Sequence, residues 1–200
     1  MPSPYKPILD IIKPSNPQVM LNIGIRQGGE WDYFKEQLPD LRLVALEPNP
    51  KENFNFRKSH PNDYVLPYGV WNEPKNKTLV TSKGLCPSMK FEGSGPLVEC
   101  VTLDWLEEYE NLGESIFLWI DIEGSELEAF KGGTNLLSSG KISFIYTELR
   151  AIDKLRSPTW CVDTEVIKFL GEFGYEPVLT QQESGKEHYD VLFSLNGASE

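Results

Sequence analysis

The sequence predicts an α/β fold in which a mostly parallel sheet is covered on both faces by helices, and three stretches carry that prediction. Residues 116–120, IFLWI, form a continuous apolar run, which suits a strand buried on both faces better than one with a solvated side. Residues 18–23, QVMLNI, run into a glycine loop from Gly24 to Gly29 and then into a segment with Trp31, Phe34 and Leu38 at helical spacing. Residues 42–47, RLVALE, are a second strand ending in an acid, about 20 residues after the first glycine, the offset at which nucleotide-binding α/β folds set a carboxylate against ribose hydroxyls.

The chain in order supports this reading. Residues 1–17 are rich in proline and read as an extended N-terminal extension with one short apolar turn around Ile8 to Ile12, and residues 18–200 as a single domain. The glycines of the first loop fall as GxxxGG and not as the dinucleotide pattern GxGxxG, so the loop read by itself is equally a tight strand-to-helix turn. Pro48 and Pro50 break the second strand, and residues 51–60 read as a helix with Phe54 and Phe56 inward. Residues 64–71, YVLPYGVW, are a third strand that Pro67 confines to an edge or a bulge. A short strand at 78–82, a glycine- and proline-rich loop at 83–96 suited to covering a site, a strand at 98–101 and a helix at 103–109 follow. Beyond the central stretch come a buried strand at 142–149, a helix at 163–173 with Val166, Phe169, Leu170 and Phe173 inward, and two strands, 175–180 and 188–195, that form an antiparallel pair.

Composition narrows the function. The 200 residues fit one domain with a sizeable core, and 40% hydrophobic with 24% charged residues describe an ordinary globule. No apolar run reaches the roughly 20 residues of a membrane helix. A net charge of −11 opposes broad contact with a phosphate backbone, which disfavours nucleic acid as partner and favours small neutral or locally cationic ligands. Cys86, Cys100 and Cys161 are odd in number and widely spaced, which with the absence of a signal-peptide core points to a reducing cytoplasm. His60 and His188 read as surface residues, and no hydrolase or kinase template is present.

The chemistry is expected at residues 116–133, IFLWIDIEGSELEAFKGG. Ser125 and Glu128 have capping-box spacing, so a helix should start near Ser125 and stop at Gly132-Gly133. Asp121 and Glu123, two apart, would share a side if the strand persisted, at the carboxyl end where open α/β sheets bind ligands. Glu148 brings a third acid to the same end. A purely structural reading, in which Asp121 and Glu123 complement the positive end of the following helix, leaves Asp121 little to do because Ser125 already caps it.

The segment from Trp119-Ile-Asp121-Ile-Glu123-Gly124-Ser-Glu126-Leu-Glu128 through Lys131-Gly132-Gly133 resembles the hallmark of the FkbM family of S-adenosylmethionine-dependent methyltransferases. The similarity extends to Leu46-Glu47-Pro48-Asn49-Pro50, Thr102-Leu103-Asp104, Glu148 and the closing Tyr189-Asp190. It implies a Rossmann-like class I methyltransferase with a seven-stranded sheet of order 3-2-1-4-5-7-6 and an antiparallel last strand. It also implies a cofactor held by Asn22, Gly24, Gly28, Glu47, Asn49 and Asp121, and catalysis by Asp121, Glu123 and Glu148 on a hydroxyl of a sugar or other small metabolite. Where the family's first loop looks like Asp-x-Gly-Ala-Asn-x-Gly, this chain has Asn22-Ile-Gly24-Ile-Arg26-Gln-Gly28: an amide stands for an acid and a cation for an asparagine. A catalytically silent module of the same fold and an NAD-type oxidoreductase are the alternatives, the latter disfavoured by the glycine spacing and the lack of a Tyr-x-x-x-Lys pair.

Overall fold

The computed structural model describes residues 3–80, 88–90, 96–150, 162–182 and 188–196. Along the chain, α1 (Lys6–Ile12) precedes β1 (Val19–Ile23), α2 (Gly29–Gln37), β2 (Arg42–Leu46), α3 (Pro50–Ser59) and β3 (Val65–Leu66). Then come β4 (Gly69–Val70), β5 (Lys75–Val80), β6 (Ser88–Lys90), β7 (Leu97–Val101), α4 (Leu103–Tyr109) and β8 (Ile116–Ile120). The rest is α5 (Glu126–Lys131), α6 (Thr134–Ser138), β9 (Ile142–Arg150), α7 (Asp163–Gly171), β10 (Tyr175–Gln181) and β11 (His188–Leu195).

Seven strands form the main sheet in the order β3-β2-β1-β8-β9-β11-β10. The strands from β3 to β9 pair in parallel, and β11 runs antiparallel to both its neighbours. This is the expected order and the expected single reversed strand. All five residues of both β1 and β8 are buried, because each face of the sheet carries its own apolar layer. Leu21, Ile120, Phe130 and Leu170 belong to one layer and Met20, Trp31, Phe34 and Trp119 to the other.

Several expectations are corrected. Residues 6–12 are helical, with Ile8, Leu9 and Ile12 buried and Tyr5 edge-on to Trp119; Pro7 is compatible with a first helical turn, where its missing N–H costs nothing. In α3, Phe56 is buried but Phe54 is 67% exposed. Helical spacing pairs Phe56 with Asn53, whose amide donates inward to the carbonyls of Glu47 and Leu66. The strand expected at 64–71 divides at Pro67: β3 closes the edge of the main sheet, while β4 joins a second sheet of order β4-β7-β5-β6 that the sequence did not announce. The loop expected at 83–96 contains β6, and its segments 83–87 and 91–95 lie outside the described residues, as do Cys86 and Cys161. Cys100 is buried.

The capping box is the remaining miss. The helix begins after Ser125 as expected, but Ser125 makes no side-chain cap bond. Glu126 instead ties down the turn before the helix, one carboxylate oxygen accepting the backbone N–H groups of Ile122 and Gly124 at 3.1 Å each, while Glu128 turns to Asn72 and Lys131. Gly132 ends the helix with a negative φ. It is needed for close approach, since a Cβ there would strike the backbone of Trp71.

Candidate active site

The carboxyl ends of β1 and β8 lie where the chain, having turned one way through β2 and β3, resumes on the other side of β1, the position at which open α/β sheets leave a crevice. Two cavities meet there and share Gly24, Arg26 and Asp121 in their walls. The smaller, of about 120 Å³, is completed by Glu47, Asn49, Tyr68, Val70 and Ile122 among others. The larger, of about 760 Å³, is bounded by Tyr5, the 24–30 loop, Trp119, Tyr146, Glu148, His188 and Asp190.

Backbone geometry fixes the junction. Gly24 has φ +90° and packs so closely on the Asp121 carbonyl that a Cβ would collide with it, so the glycine holds the ends of β1 and β8 together. Gly28 is similarly filled from behind by the Phe56 ring. Arg26 and Glu123, both in the wall of the smaller cavity, adopt left-handed φ values of 50° and 56°. Non-glycine residues pay for that conformation and hold it where the surroundings demand it.

Glu47 is a preset acceptor. It is 6% exposed, and its two oxygens accept the backbone N–H of Asn49 at 2.7 Å and of Arg26 at 3.1 Å. Burial pushes its pKa up, and the two N–H groups pull it back. Asn49 is the N-cap of α3, its side chain accepting from the Lys51 N–H at 3.1 Å. Asn22 is fully buried and does not reach a cavity; its amide donates to Glu30 Oε1 at 2.8 Å, and it is Glu30 that lines the larger cavity.

The acids at the other end are held differently. β8 stops at Ile120, so the strand does not persist through Glu123, and Asp121 and Glu123 part company in the turn. The Asp121 Oδ1 is buried without a hydrogen-bond partner; burial first, and then the charges of Glu148 and Glu123, hold its pKa well above the usual carboxylate range. Glu123 lies 3.5 Å from Arg150 Nη2, which also donates to Glu148 at 2.7 Å. Burial pushes Glu148 up to about 7 despite that guanidinium. His188 Nε2 is 3.4 Å from the other Glu148 oxygen, which moves it from the expected surface role into the site. His60 instead stacks on Phe56 and meets Asp32 at 2.8 Å. Among the described residues no group of three His, Cys, Asp or Glu side chains is arranged to hold a metal ion, and no helix is long and apolar enough to cross a membrane.

Sequence reasoning therefore named Asp121, Glu123, Glu148, Gly24, Glu47 and Asn49, which gather at the junction and its rims, and missed Glu30, Tyr146, Arg150 and Asp190. Arg150 had a signal: two residues after Glu148 on an extended strand, it shares that residue's face. Asp190 pairs in register with Glu148, a fact only the sheet order supplies. Asp104, part of the resembling segment before β8, accepts the N–H groups of Asn135 and Leu136 at the start of α6 and is structural.

The family model described as the methyltransferase FkbM domain matches residues 18–177. A 2-O-methyltransferase NoeI of Sinorhizobium fredii is 26% identical over 168 residues, covering 72% of this chain and 68% of that protein. Among solved structures, a methyltransferase FkbM from Methylobacillus flagellatus KT superimposes with a TM-score of 0.60 at 14% identity over 89% of this chain, which spans only 44% of that chain. Aeropyrum pernix fibrillarin with natively bound S-adenosyl-L-methionine superimposes with a TM-score of 0.50 at 13% identity, over 89% of this chain and 66% of that one. These two likenesses bear on the fold.

Proposed function

The chain belongs to the FkbM methyltransferase family, and on that premise we propose that it transfers a methyl group from S-adenosylmethionine to a hydroxyl of a sugar or other small metabolite. The observation that carries the proposal is the pair of cavities meeting at Asp121, one with a preset acceptor and the other with a carboxylate poised near neutrality. The printed name of the NoeI relative, a 2-O-methyltransferase, supports oxygen as the accepting atom.

The residues present fit the cofactor. Glu47 has its orientation fixed by two N–H groups and faces the smaller cavity, so its remaining lone pairs suit the two hydroxyls of a ribose. Ile122, Val70 and Tyr68 give that cavity apolar walls for a purine. The bound sulfonium supplies an electrophilic methyl group, which leaves the protein to align the acceptor and take its proton.

Glu148 is the base in this reading. A group titrating at about 7 is ionised in a useful fraction near neutral pH and still basic enough to accept a proton. Arg150 orients it from one side and His188 lies against its second oxygen. Asp121, with its orphaned Oδ1, lines both cavities and positions donor and acceptor relative to each other. Glu123 is turned to Arg150 and acts through it. The Trp119 and Tyr146 rings, stacked with centroids 3.8 Å apart, give the larger cavity a flat apolar wall suited to the face of a sugar ring. This assigns residues 18–200 to one catalytic domain, with α1 closing the larger cavity through Tyr5.

The test is to incubate the purified chain with S-adenosylmethionine and a library of mono- and oligosaccharides and other hydroxyl compounds, reading S-adenosylhomocysteine and methylated product by mass spectrometry. Product carrying an O-methyl group is expected. Tight cofactor binding with no transfer to any acceptor would favour the silent module, and absence of cofactor binding would defeat the reading.

A further inference from the structure

Building on the reading of this chain as an S-adenosylmethionine enzyme, we propose that Glu30, braced from behind by Asn22, is the anchor for the positively charged amino group at the amino-acid end of the cofactor. Glu30 is in the first turn of α2 and lines the larger cavity, on the opposite side of the 24–29 loop from Glu47. The two acids thus bracket the glycine loop, one at the end of β2 and the other at the start of the helix that follows β1.

Asn22 shows that Glu30 is built and not incidental. Its Nδ2 donates to Glu30 Oε1 at 2.8 Å, and this fixes the amide: turned over, its oxygen would face a carboxylate. The fixed orientation leaves Asn22 Oδ1 fully buried without a donor, a cost of the kind retained where the donating end is needed. Asp121, in the wall of the same larger cavity, has a second buried oxygen with no donor. No ion pair of Glu30 occurs among the described residues. A partly buried carboxylate with no ion-pair partner among the described residues, in the wall of a cavity that also carries the donorless Asp121 Oδ1, is complementary to a group that is all donor and positively charged, and an ammonium with three N–H bonds is such a group. Burial raises the Glu30 pKa, while the Asn22 amide and a backbone N–H lower it; an arriving cation acts in the same direction as those donors.

The arrangement also explains why the amide at position 22 is not simply a weakened acid. Asn22→Asp alone would set a buried carboxylate against that of Glu30, and the structure therefore predicts weaker cofactor binding from it. Moving the charge, with Asn22→Asp and Glu30→Gln together, keeps one carboxylate and one amide in contact.

Calorimetry with S-adenosylhomocysteine and with 5′-methylthioadenosine, which lacks the amino-acid end, separates the outcomes. Glu30→Gln should weaken S-adenosylhomocysteine binding about 10- to 100-fold, as expected for loss of a charge-assisted contact, and leave methylthioadenosine binding unchanged. The double variant should recover most of the loss. Glu30→Asp, which keeps the charge but shortens its reach, provides the same comparison if the Gln variant does not fold. Equal loss for both ligands, or no loss for S-adenosylhomocysteine, overturns the assignment of Glu30 while leaving the methyltransferase reading intact. If the wild type binds neither ligand, the cofactor reading fails first and this assignment with it.

Discussion

The two sides of the Asp121 junction solve opposite problems with the same side-chain type. On the β2 side Glu47 is buried, yet each of its oxygens accepts a backbone N–H. On the β8 and β9 side Asp121 keeps an oxygen without any donor, and Glu148 shares one guanidinium with Glu123. A satisfied carboxylate costs little to hold and is a fixed template for binding; an unsatisfied one stores free energy that protonation or a ligand releases. The contrast assigns recognition to the first side and proton chemistry to the second, and it can be broken or sharpened experimentally.

The largest effect should come from Glu148→Gln. Turnover is expected to fall about 10²–10⁴-fold, with S-adenosylhomocysteine affinity nearly unchanged. In the wild type kcat should rise with pH through about 7 as Glu148 loses its proton, and that rise should vanish in the variant. A variant that keeps the wild-type rate and pH profile would remove Glu148 from the chemistry.

On the other side, Glu47→Ala should weaken cofactor binding by about 1–3 kcal/mol by calorimetry, through loss of hydrogen bonds from the ribose hydroxyls. It should also lower the melting temperature, because the N–H groups of Arg26 and Asn49 lose their acceptor. Unchanged affinity in a folded variant would rule out the assignment.

A third expectation concerns stability. The folded-state pKa of Glu148 is raised from 4.5 to about 7, so the native state binds more protons than the unfolded chain in that interval. Stability is then greatest below 4.5 on account of this group and declines as pH rises through 7, by roughly 1–3 kcal/mol. Denaturant titrations across this interval should show the decline in the wild type and a flatter profile in Glu148→Gln. Equal slopes in the two proteins would contradict the raised proton affinity that burial gives Glu148.

The smallest effect is expected at Asn49. Because its side chain caps α3, Asn49→Ala should cost about 1 kcal/mol of stability. If its contribution to the smaller cavity is confined to that cap, cofactor affinity should hardly change; a loss of affinity comparable to that of Glu47→Ala would make it a direct ligand.

The sequence by itself determined the framework. Continuous apolar runs such as IFLWI can be satisfied only between two covered faces, and the period of Val166 and Leu170 admits only a helix packed on one side, so the parallel core, its reversed last strand and the acids at the strand ends were legible. The residues 18–177 matched by the family model cover that framework from β1 to the start of β10. Pattern failed where a residue had two local solutions. Phe54 and Phe56 both fit an amphipathic helix until Asn53 claimed the inward position by bonding two carbonyls. Ser125 fits a cap but makes no cap bond, and the neighbouring Glu126 folds back on the turn before the helix, where one of its oxygens accepts two backbone N–H groups. Only the tertiary structure decided which charges share a space. Glu30 meets Asn22 across a loop, and His188 and Asp190 meet Glu148 because β11 inserts between β9 and β10. Hydrophobic periodicity is a property of neighbours in sequence, whereas the protonation and partners of a buried carboxylate depend on distances between segments far apart in the chain, and these exist only once the sheet has assembled.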